Sequence, residues 1–357
     1  MTFFFDARFI RAGHHDGISR FAANLCTELA KTRQLTAIIS DPGQLEHLPK
    51  GIPHIIECAP TSIREIGLAR RLNKAGATLV YSPMQTTGSL GKKFKLVLTL
   101  HDLIYYRHPK PPSEFNLMVR ALWRIYHLSF LPAKIMLSSG DGLVTISQTS
   151  LELIRKAKLF KGEIAVVYNA AESAYEKDLA QRAEAPTRRL IYMGSFMDYK
   201  DVETLVAGSG LLTGFELHLL SKIDESRREQ IQKLAAAAEA KVIFHNGVSD
   251  KEYLQLLDSA FALVSASRDE GFGIPIIESM SRGTPVVCTD IPIFREVGGK
   301  AATFFETGNP SSFAAAVQSL DGEWHQKSQL AVLNVKRFDW QKSAVVLNDY
   351  LDRVAAS

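Results

Sequence analysis

Two glutamates and the loop that separates them have the residue types and spacing to do chemistry. They lie in Ser265-Ala-Ser-Arg-Asp-Glu-Gly-Phe-Gly-Ile-Pro-Ile-Ile-Glu278, where an apolar strand runs into a glycine-bracketed loop and then a helix. Pro275 suits the first turn of that helix, because no amide hydrogen bond is needed there. Gly271 and Gly273 let backbone come close to a ligand, and the free amides near Gly273 and Ile274 suit a phosphate or a sugar hydroxyl. Such a helix end contributes roughly 0.3–1 kcal/mol to a nearby anion, and up to ~2 kcal/mol when partly buried. Glu270 and Glu278 stand eight positions apart, one on the loop and one in the early turns of the helix, so both can point toward one cleft. A carboxylate accepts two hydroxyl donors at once, which suits a vicinal diol such as a ribose, each charge-assisted bond being worth about 1.5–3 kcal/mol. The plainer alternative makes Glu278 a helix-start glutamate and Glu270 a loop charge; the glycine loop between them favours the functional one. No Asp-x-Asp pair occurs in the chain, so a metal bridging phosphates is not expected and charge neutralisation falls on protein groups.

The elements that position these residues follow from alternating strand and helix patterns, which predict parallel sheets covered by helices on both faces. Strand-like runs stand at Thr2–Phe5, Leu35–Ser40, Thr78–Tyr81, Lys95–Leu100, Gly142–Ile146 and Ile164–Tyr168, with a helix at Ile18–Lys31. The pattern restarts with strands at Arg189–Met193, Glu216–Leu220, Lys241–Phe244, Ala262–Ser265, Pro285–Cys288 and Thr303–Phe305. Helices are expected between them at Val202–Leu212, Glu225–Ala240, Asp250–Ser259, Pro275–Arg282 and Pro310–Leu320, with Gly283 stopping the fourth. Ala171–Pro186 is polar and reads as the linker. The expectation is an α/β chain of two doubly wound, Rossmann-like domains, residues 1–175 and 186–339, facing each other across a cleft at the carboxyl ends of their strands. A closing helix is expected at about 340–357, packing against either domain, with a return to the first as one option; the sequence does not choose between them.

At 357 residues, with 46% hydrophobic and 22% charged positions, the chain is too long for one small module and too apolar for disorder. Cys26, Cys58 and Cys288 are odd in number and scattered, giving neither a disulfide framework nor metal-ligand spacing, so a reducing cytoplasm is expected. The opening MTFFFDARFIRAG has too short an apolar run for a signal peptide, and no later run is long enough to span a bilayer. The net charge of +4 hides an asymmetry: residues 1–175 carry 22 Lys/Arg against 13 Asp/Glu, and residues 176–357 carry 20 against 25. A basic first half fits anionic lipid, a phosphorylated acceptor or nucleic acid, unless the excess is only a solvated face.

The segment EGFGIPIIE resembles the signature of the retaining, family-four nucleotide-sugar glycosyltransferases of GT-B fold. The resemblance extends through DGISRF (Asp16–Phe21), LHDL (Leu100–Leu103), VTISQTS (Val144–Ser150), VVYN (Val166–Asn169), MGSFMDYKDVETLV (Met193–Val206), FHNGVSDKEYLQLL (Phe244–Leu257) and GTPVV (Gly283–Val287), in the family's order and spacing. It implies that Glu278 holds the ribose of a nucleoside diphosphate sugar donor. Glu270, with the amides of Phe272, Gly273 and Ile274, would hold the transferred sugar and the distal phosphate. Lys200, otherwise a solvated loop lysine, would place an ammonium on the diphosphate as negative charge grows there in the transition state. His101, at the end of the strand Lys95–Leu100, would contact the donor sugar; the plainer alternative is a strand-end histidine satisfied by Asp102. Gly13 and Gly17, flanking His14, His15 and Asp16, would form a second phosphate-facing loop, with Asp16 and Arg20 on the acceptor or loop side. Asn169 and Gly247 would lie near the donor. The chain departs from the family in one respect: where many members carry an arginine after the second domain's first strand, it has Ser195 and Tyr199. Arg268 and Arg20 are the cations that could compensate.

The resemblance thus implies a hexosyltransferase that needs no metal or other cofactor, most like bacterial mannosyltransferases, with mannose from a guanosine donor preferred. Its acceptor would be a glycan or a lipid-linked saccharide, and no nucleic acid partner is expected. The expected location is cytoplasmic, with peripheral contact to an anionic membrane on its inner face as an option. Pro111–Ala133 carries Phe115, Leu117, Leu122, Trp123, Ile125, Tyr126 and Leu128 with Arg120 and Arg124 between them. It reads as one core-packing helix, or alternatively as an amphipathic one that meets lipid. Two rivals remain, a nucleotide-sugar epimerase of the same fold and a catalytically silent scaffold. A nicotinamide enzyme is set aside because no G-x-G-x-x-G follows the first strand.

Overall fold

The computed structural model describes residues 2–13, 16–109, 117–171 and 187–357. Two compact units are present, the first comprising Met1–Asn169 with Asp339–Ser357 and the second Ala170–Phe338. His14 and His15, the start of the Pro111–Ala133 segment and the linker beyond Ala171 lie outside the described residues.

In the first unit the strands are β1 (Phe3–Asp6), β2 (Thr36–Ile39), β3 (His54–Ile56), β4 (Leu79–Tyr81), β5 (Lys95–Thr99), β6 (Gly142–Thr145) and β7 (Ile164–Val166). Among the described residues they form one parallel sheet in the order β3-β2-β1-β4-β5-β6-β7. Central strands are buried throughout and read as unbroken apolar runs such as Phe3-Phe4-Phe5, because helices cover both faces of such a sheet. The helices of this unit are α1 (Gly17–Thr32), α2 (Leu68–Lys74), α3 (Ile104–Arg107), α4 (Leu117–Tyr126), α5 (Leu131–Leu137) and α6 (Gln148–Lys156). Pro111–Ala133 is therefore not one helix: the chain leaves α4 after Tyr126 and re-enters helix only at Leu131, where Pro132 sits in the first turn.

The second unit repeats the plan with β8 (Arg189–Tyr192), β9 (Glu216–Leu219), β10 (Val242–Phe244), β11 (Ala262–Ser265), β12 (Val286–Thr289) and β13 (Ala302–Phe305). These are parallel, in the order β10-β9-β8-β11-β12-β13. Its helices are α7 (Val202–Ser209), α8 (Glu225–Ala237), α9 (Asp250–Ser259), α10 (Ile274–Ser281), α11 (Pro292–Gly298) and α12 (Pro310–Val335). The last runs well past the expected Leu320. Leu320, Trp324, Ser328 and Ala331 continue its buried face, the Trp324 indole donates to the Phe261 carbonyl (2.7 Å), and Ser328 Oγ donates to the Gly283 carbonyl (2.6 Å).

The closing helix α13 (Trp340–Ala356) packs in the first unit against α1, β5 and β7. Tyr350 locks it there: its hydroxyl accepts from the Leu143 amide (3.0 Å) and donates to the Glu163 carbonyl (2.6 Å). Gly142 makes that approach feasible, since a Cβ there would lie 2.9 Å from both the Tyr350 hydroxyl and Val354 Cγ2.

Candidate functional site

In each sheet the strand order reverses at one place, between β1 and β4 and between β8 and β11. Ligands of open parallel sheets bind outside the carboxyl ends of the strands at such switch points. The loops after β8 and β11 carry Lys200 and Glu270, so topology alone makes these two sequence-distant residues neighbours. Lys200 Nζ forms an ion pair with Glu270 Oε1, which also accepts from Ser267 Oγ at 3.0 Å, and the two side chains are only 14% and 15% exposed. The backbone stitches the loops together. The Arg268 amide donates to the Tyr199 carbonyl (2.8 Å), the Arg268 guanidinium reaches Asp201 (3.1 Å), and Thr289 Oγ1 donates to the Ser267 carbonyl (2.5 Å). Asp201 takes φ 48° to turn the chain from the Lys200 loop into α7. Tyr192 packs below the pair; burial, reinforced by the negative charge of Glu270, pushes its phenol well above the usual range, so it stays neutral.

Gly273 caps α10 at φ 95°, a conformation that strains any other residue, and a Cβ there would also press on Phe294 (3.1 Å) and Ile276 (3.3 Å). No side chain caps this helix end, and among the described residues the amides of Gly273 and Ile274 have no hydrogen-bond acceptor. Phe272 is buried edge-on against Phe338, which anchors the loop from beneath. Glu278, in the second turn of α10, takes a different neighbour from Glu270: Tyr253 of α9 donates its hydroxyl to Oε2 at 3.0 Å. Gly247 lies on the loop after β10 with φ 103°; its amide donates to the Leu220 carbonyl (2.8 Å), and a Cβ would sit 3.1 Å from Lys222 Cγ. Asn246 Oδ1 accepts from the Ile223 amide (3.2 Å) and Ser221 Oγ accepts from the Gly194 amide (3.1 Å). The loops after β10, β9, β8 and β11 are thus tied side by side.

In the first unit Asp16 caps α1, accepting from the Ser19 amide (2.9 Å) and pairing with Arg11 (3.1 Å). Gly17 is the first residue of that helix and Arg20 lies in its first turn. His101 follows β5, and its Nε2 lies 2.8 Å from the Pro83 carbonyl, rather than being satisfied by Asp102. A carbonyl only accepts, so Nε2 carries the proton and Nδ1 of the neutral ring keeps its lone pair. Phe21 packs against the ring at 5.0 Å, and burial lowers the imidazole below its usual range, with the Pro83 carbonyl and Asp16 opposing that shift. Asn169 is buried at the end of the first unit. Because the folded protein disfavours the protonated ring, the unfolded chain binds the extra proton. This contribution is intact above about pH 6.5 and is lost as pH falls through that value. Thermal unfolding across pH 8 to 5 should show that acid-side loss, and His101→Gln, which keeps a donor to Pro83, should flatten it.

The structure therefore unites Lys200 with Glu270, places Phe272, Gly273 and Ile274 directly beside them in sequence and Gly247 in the same row of loops, and gives Glu278 a separate partner. Tyr253, Ser267 and the Asp201–Arg268 pair are features that sequence reasoning passed over. Tyr253 lies inside the Phe244–Leu257 segment, but its partner is in another helix. Among the described residues no cluster of three or more His, Cys, Asp and Glu side chains could hold a metal ion.

Residues 154–330 match the family described as Glycosyl transferases group 1. The O-antigen chain mannosyltransferase RfbU of Salmonella typhimurium is 28% identical over 229 residues, 63% of this chain and 60% of that protein. The GDP-mannose:cellobiosyl-diphosphopolyprenol alpha-mannosyltransferase of Xanthomonas campestris is 27% identical over 194 residues, 51% of this chain and 50% of that protein. The matches thus span 60% and 50% of these relatives' own length. In fold the chain is similar to the sucrose-phosphate synthase of Thermosynechococcus elongatus, with a TM-score of 0.76 at 18% identity and complete coverage of both chains. The paired Rossmann-like sheets and the structural similarity show the GT-B fold, and within it residues 154–330, which include the glycine-capped α10, match the glycosyl transferases group 1 family.

Proposed function

We propose that this chain is a retaining hexosyltransferase that moves mannose from GDP-mannose to a glycan or lipid-linked saccharide and needs no metal. The observation that carries this reading is the Lys200–Glu270 pair at the β8/β11 switch point, beside the unpartnered amides of Gly273 and Ile274. As the glycosidic bond breaks, negative charge grows on the leaving diphosphate. A preplaced ammonium and the positive end of α10 stabilise it without reorganisation. Glu270, neutralised by Lys200 in the absence of donor, is placed to accept from sugar hydroxyls once the ammonium turns to the phosphates. Glu278 accepts from ribose hydroxyls, with the Tyr253 hydroxyl orienting its carboxylate. Arg268, half-exposed and held by Asp201, is the cation best placed in this unit to stand in for the arginine absent at Ser195 and Tyr199. His101, with its free Nδ1 acceptor, keeps its proposed role toward the donor sugar.

Mannose and the guanosine donor are supported by the names of the relatives, one of which is a GDP-mannose enzyme with a diphosphopolyprenol-linked acceptor. The named relatives are transferases, and neither the epimerase nor the silent scaffold is favoured. Calorimetric titration with GDP-mannose, UDP-glucose and their nucleotides in the presence of a chelator tests the reading: GDP-mannose should bind most tightly and the chelator should not weaken it. Preference for a uridine donor would overturn the donor assignment, and chelator-sensitive binding the metal independence. Glu278→Ala should raise the donor Kd about 10- to 100-fold, the loss of one or two charge-assisted bonds, with little change in turnover at saturating donor.

A further inference from the structure

We propose that α5 and the basic hollow beside it form a docking surface for an anionic lipid bilayer. The inference deepens the reading of a lipid-linked acceptor by assigning the protein surface that meets the membrane, and it rests on features of the first unit that do not touch the donor site. On α5, Ala133 and Leu137 face inward and are buried, whereas Leu131 and Ile135, one turn apart on the opposite ridge, are 61% and 63% exposed. Leu128, just ahead of them, is 80% exposed. An aliphatic ridge in water on a surface helix is unfavourable unless something apolar covers it.

What covers it is indicated by the charge alongside. Lys134, Arg155, Lys158 and Lys161 line one hollow of about 470 Å³ with Phe160 and Gly162. Among the described residues none of these four cations has an acidic partner. The hollow lies by the amino end of β7, the opposite end of the strands from His101 and the Asp16 loop, so it is no part of the donor site. Lys158 follows the end of α6 with φ 52°, where glycine is the usual residue and any side chain is strained. A lysine kept at such a position turns one more ammonium toward the hollow. Exposed aliphatic side chains beside clustered, unneutralised cations match the boundary of a membrane, where acyl chains lie just beneath anionic headgroups. A nucleic acid or an acidic protein would account for the cations but not for the apolar ridge.

Flotation of the full chain with vesicles tests the proposal. Phosphatidylcholine vesicles carrying phosphatidylglycerol should bind at low salt, pure phosphatidylcholine vesicles should not, and high salt should release the protein. Leu131→Asp combined with Ile135→Asp should abolish co-flotation. Lys158→Gly should weaken it about fivefold, the worth of one basic residue near an anionic surface, while the melting temperature stays equal or rises because backbone strain is relieved. No binding to the anionic vesicles at low salt, or variants that float like the parent, would overturn the proposal. So would displacement by millimolar inorganic phosphate beyond a salt-matched control, which would assign the hollow to free phosphate. Calorimetric donor binding by the same variants separates the readings: failure to bind any nucleotide sugar defeats the transferase reading and leaves the flotation result standing.

Discussion

Lys200→Met should lower kcat by about 10²- to 10³-fold while the donor KM changes far less, because the ammonium acts chiefly on charge that appears only as the diphosphate departs. The same substitution leaves the Glu270 carboxylate, mostly buried and held otherwise by Ser267, without its cation. Glu270→Ala should likewise act mainly on turnover. Because the two side chains form one pair, the double variant should lose much less than the product of the single effects. Steady-state kinetics on the four proteins, with melting temperatures as a control for folding, decide the matter. Single variants that transfer sugar like the parent would show that neither residue serves the reaction.

Arg8→Met should cost about 3–5 kcal/mol of stability, the largest loss expected from any single substitution outside the apolar cores. Arg8 follows β1 at the switch point of the first sheet, and its side chain and that of Asp6 are fully buried. Its guanidinium bonds both Asp6 oxygens (2.7 Å each), both Glu65 oxygens (2.6 and 3.0 Å) and the Cys58 carbonyl (2.9 Å). Although burial alone would raise Glu65, the hydrogen bonds and charge of Arg8 hold its carboxyl below the usual range. Methionine fills a similar volume but leaves two carboxylates without a cation. Equilibrium urea unfolding should show the loss, and combining Arg8→Met with Glu65→Gln should recover part of it. A deficit under 1 kcal/mol would mean that water reaches these acids.

Much of the fold was legible because its strands are covered on both faces and therefore read as short apolar runs. Strands expected at Lys95–Leu100 and Ala262–Ser265 appear at Lys95–Thr99 and Ala262–Ser265. The strand that escaped, β3 at His54–Ile56, lies at a sheet edge, where two of its three residues are exposed and no apolar run is required. The far half of α12 was hidden for a related reason. Its buried face is completed by Ser328 and Ala331, and its surface begins with Asp321, Gly322 and Glu323, so the hydrophobic period fades while the helix continues. Short α11 offers only two turns of pattern. At the site, residue types were readable but pairings were not. Lys200 and Glu270 are separated by 70 positions, and only the β8-β11 adjacency brings them together. The partnership of Tyr253 with Glu278 leaves no local trace, since each residue sits unremarkably on its own helix.

The return of α13 to the first unit means that the second unit is, in chain terms, an insertion into the first. During synthesis the sheet of the first unit emerges early but lacks the Tyr350 hydroxyl that bonds the Leu143 amide and the Glu163 carbonyl until the whole second unit has been made. The nascent chain should therefore finish its second unit first and hold the N-terminal half incompletely packed, in need of chaperoning, until α13 has emerged. A fragment ending at Asn169 should be prone to aggregate, and a peptide spanning Asp339–Ser357 supplied in trans should rescue it.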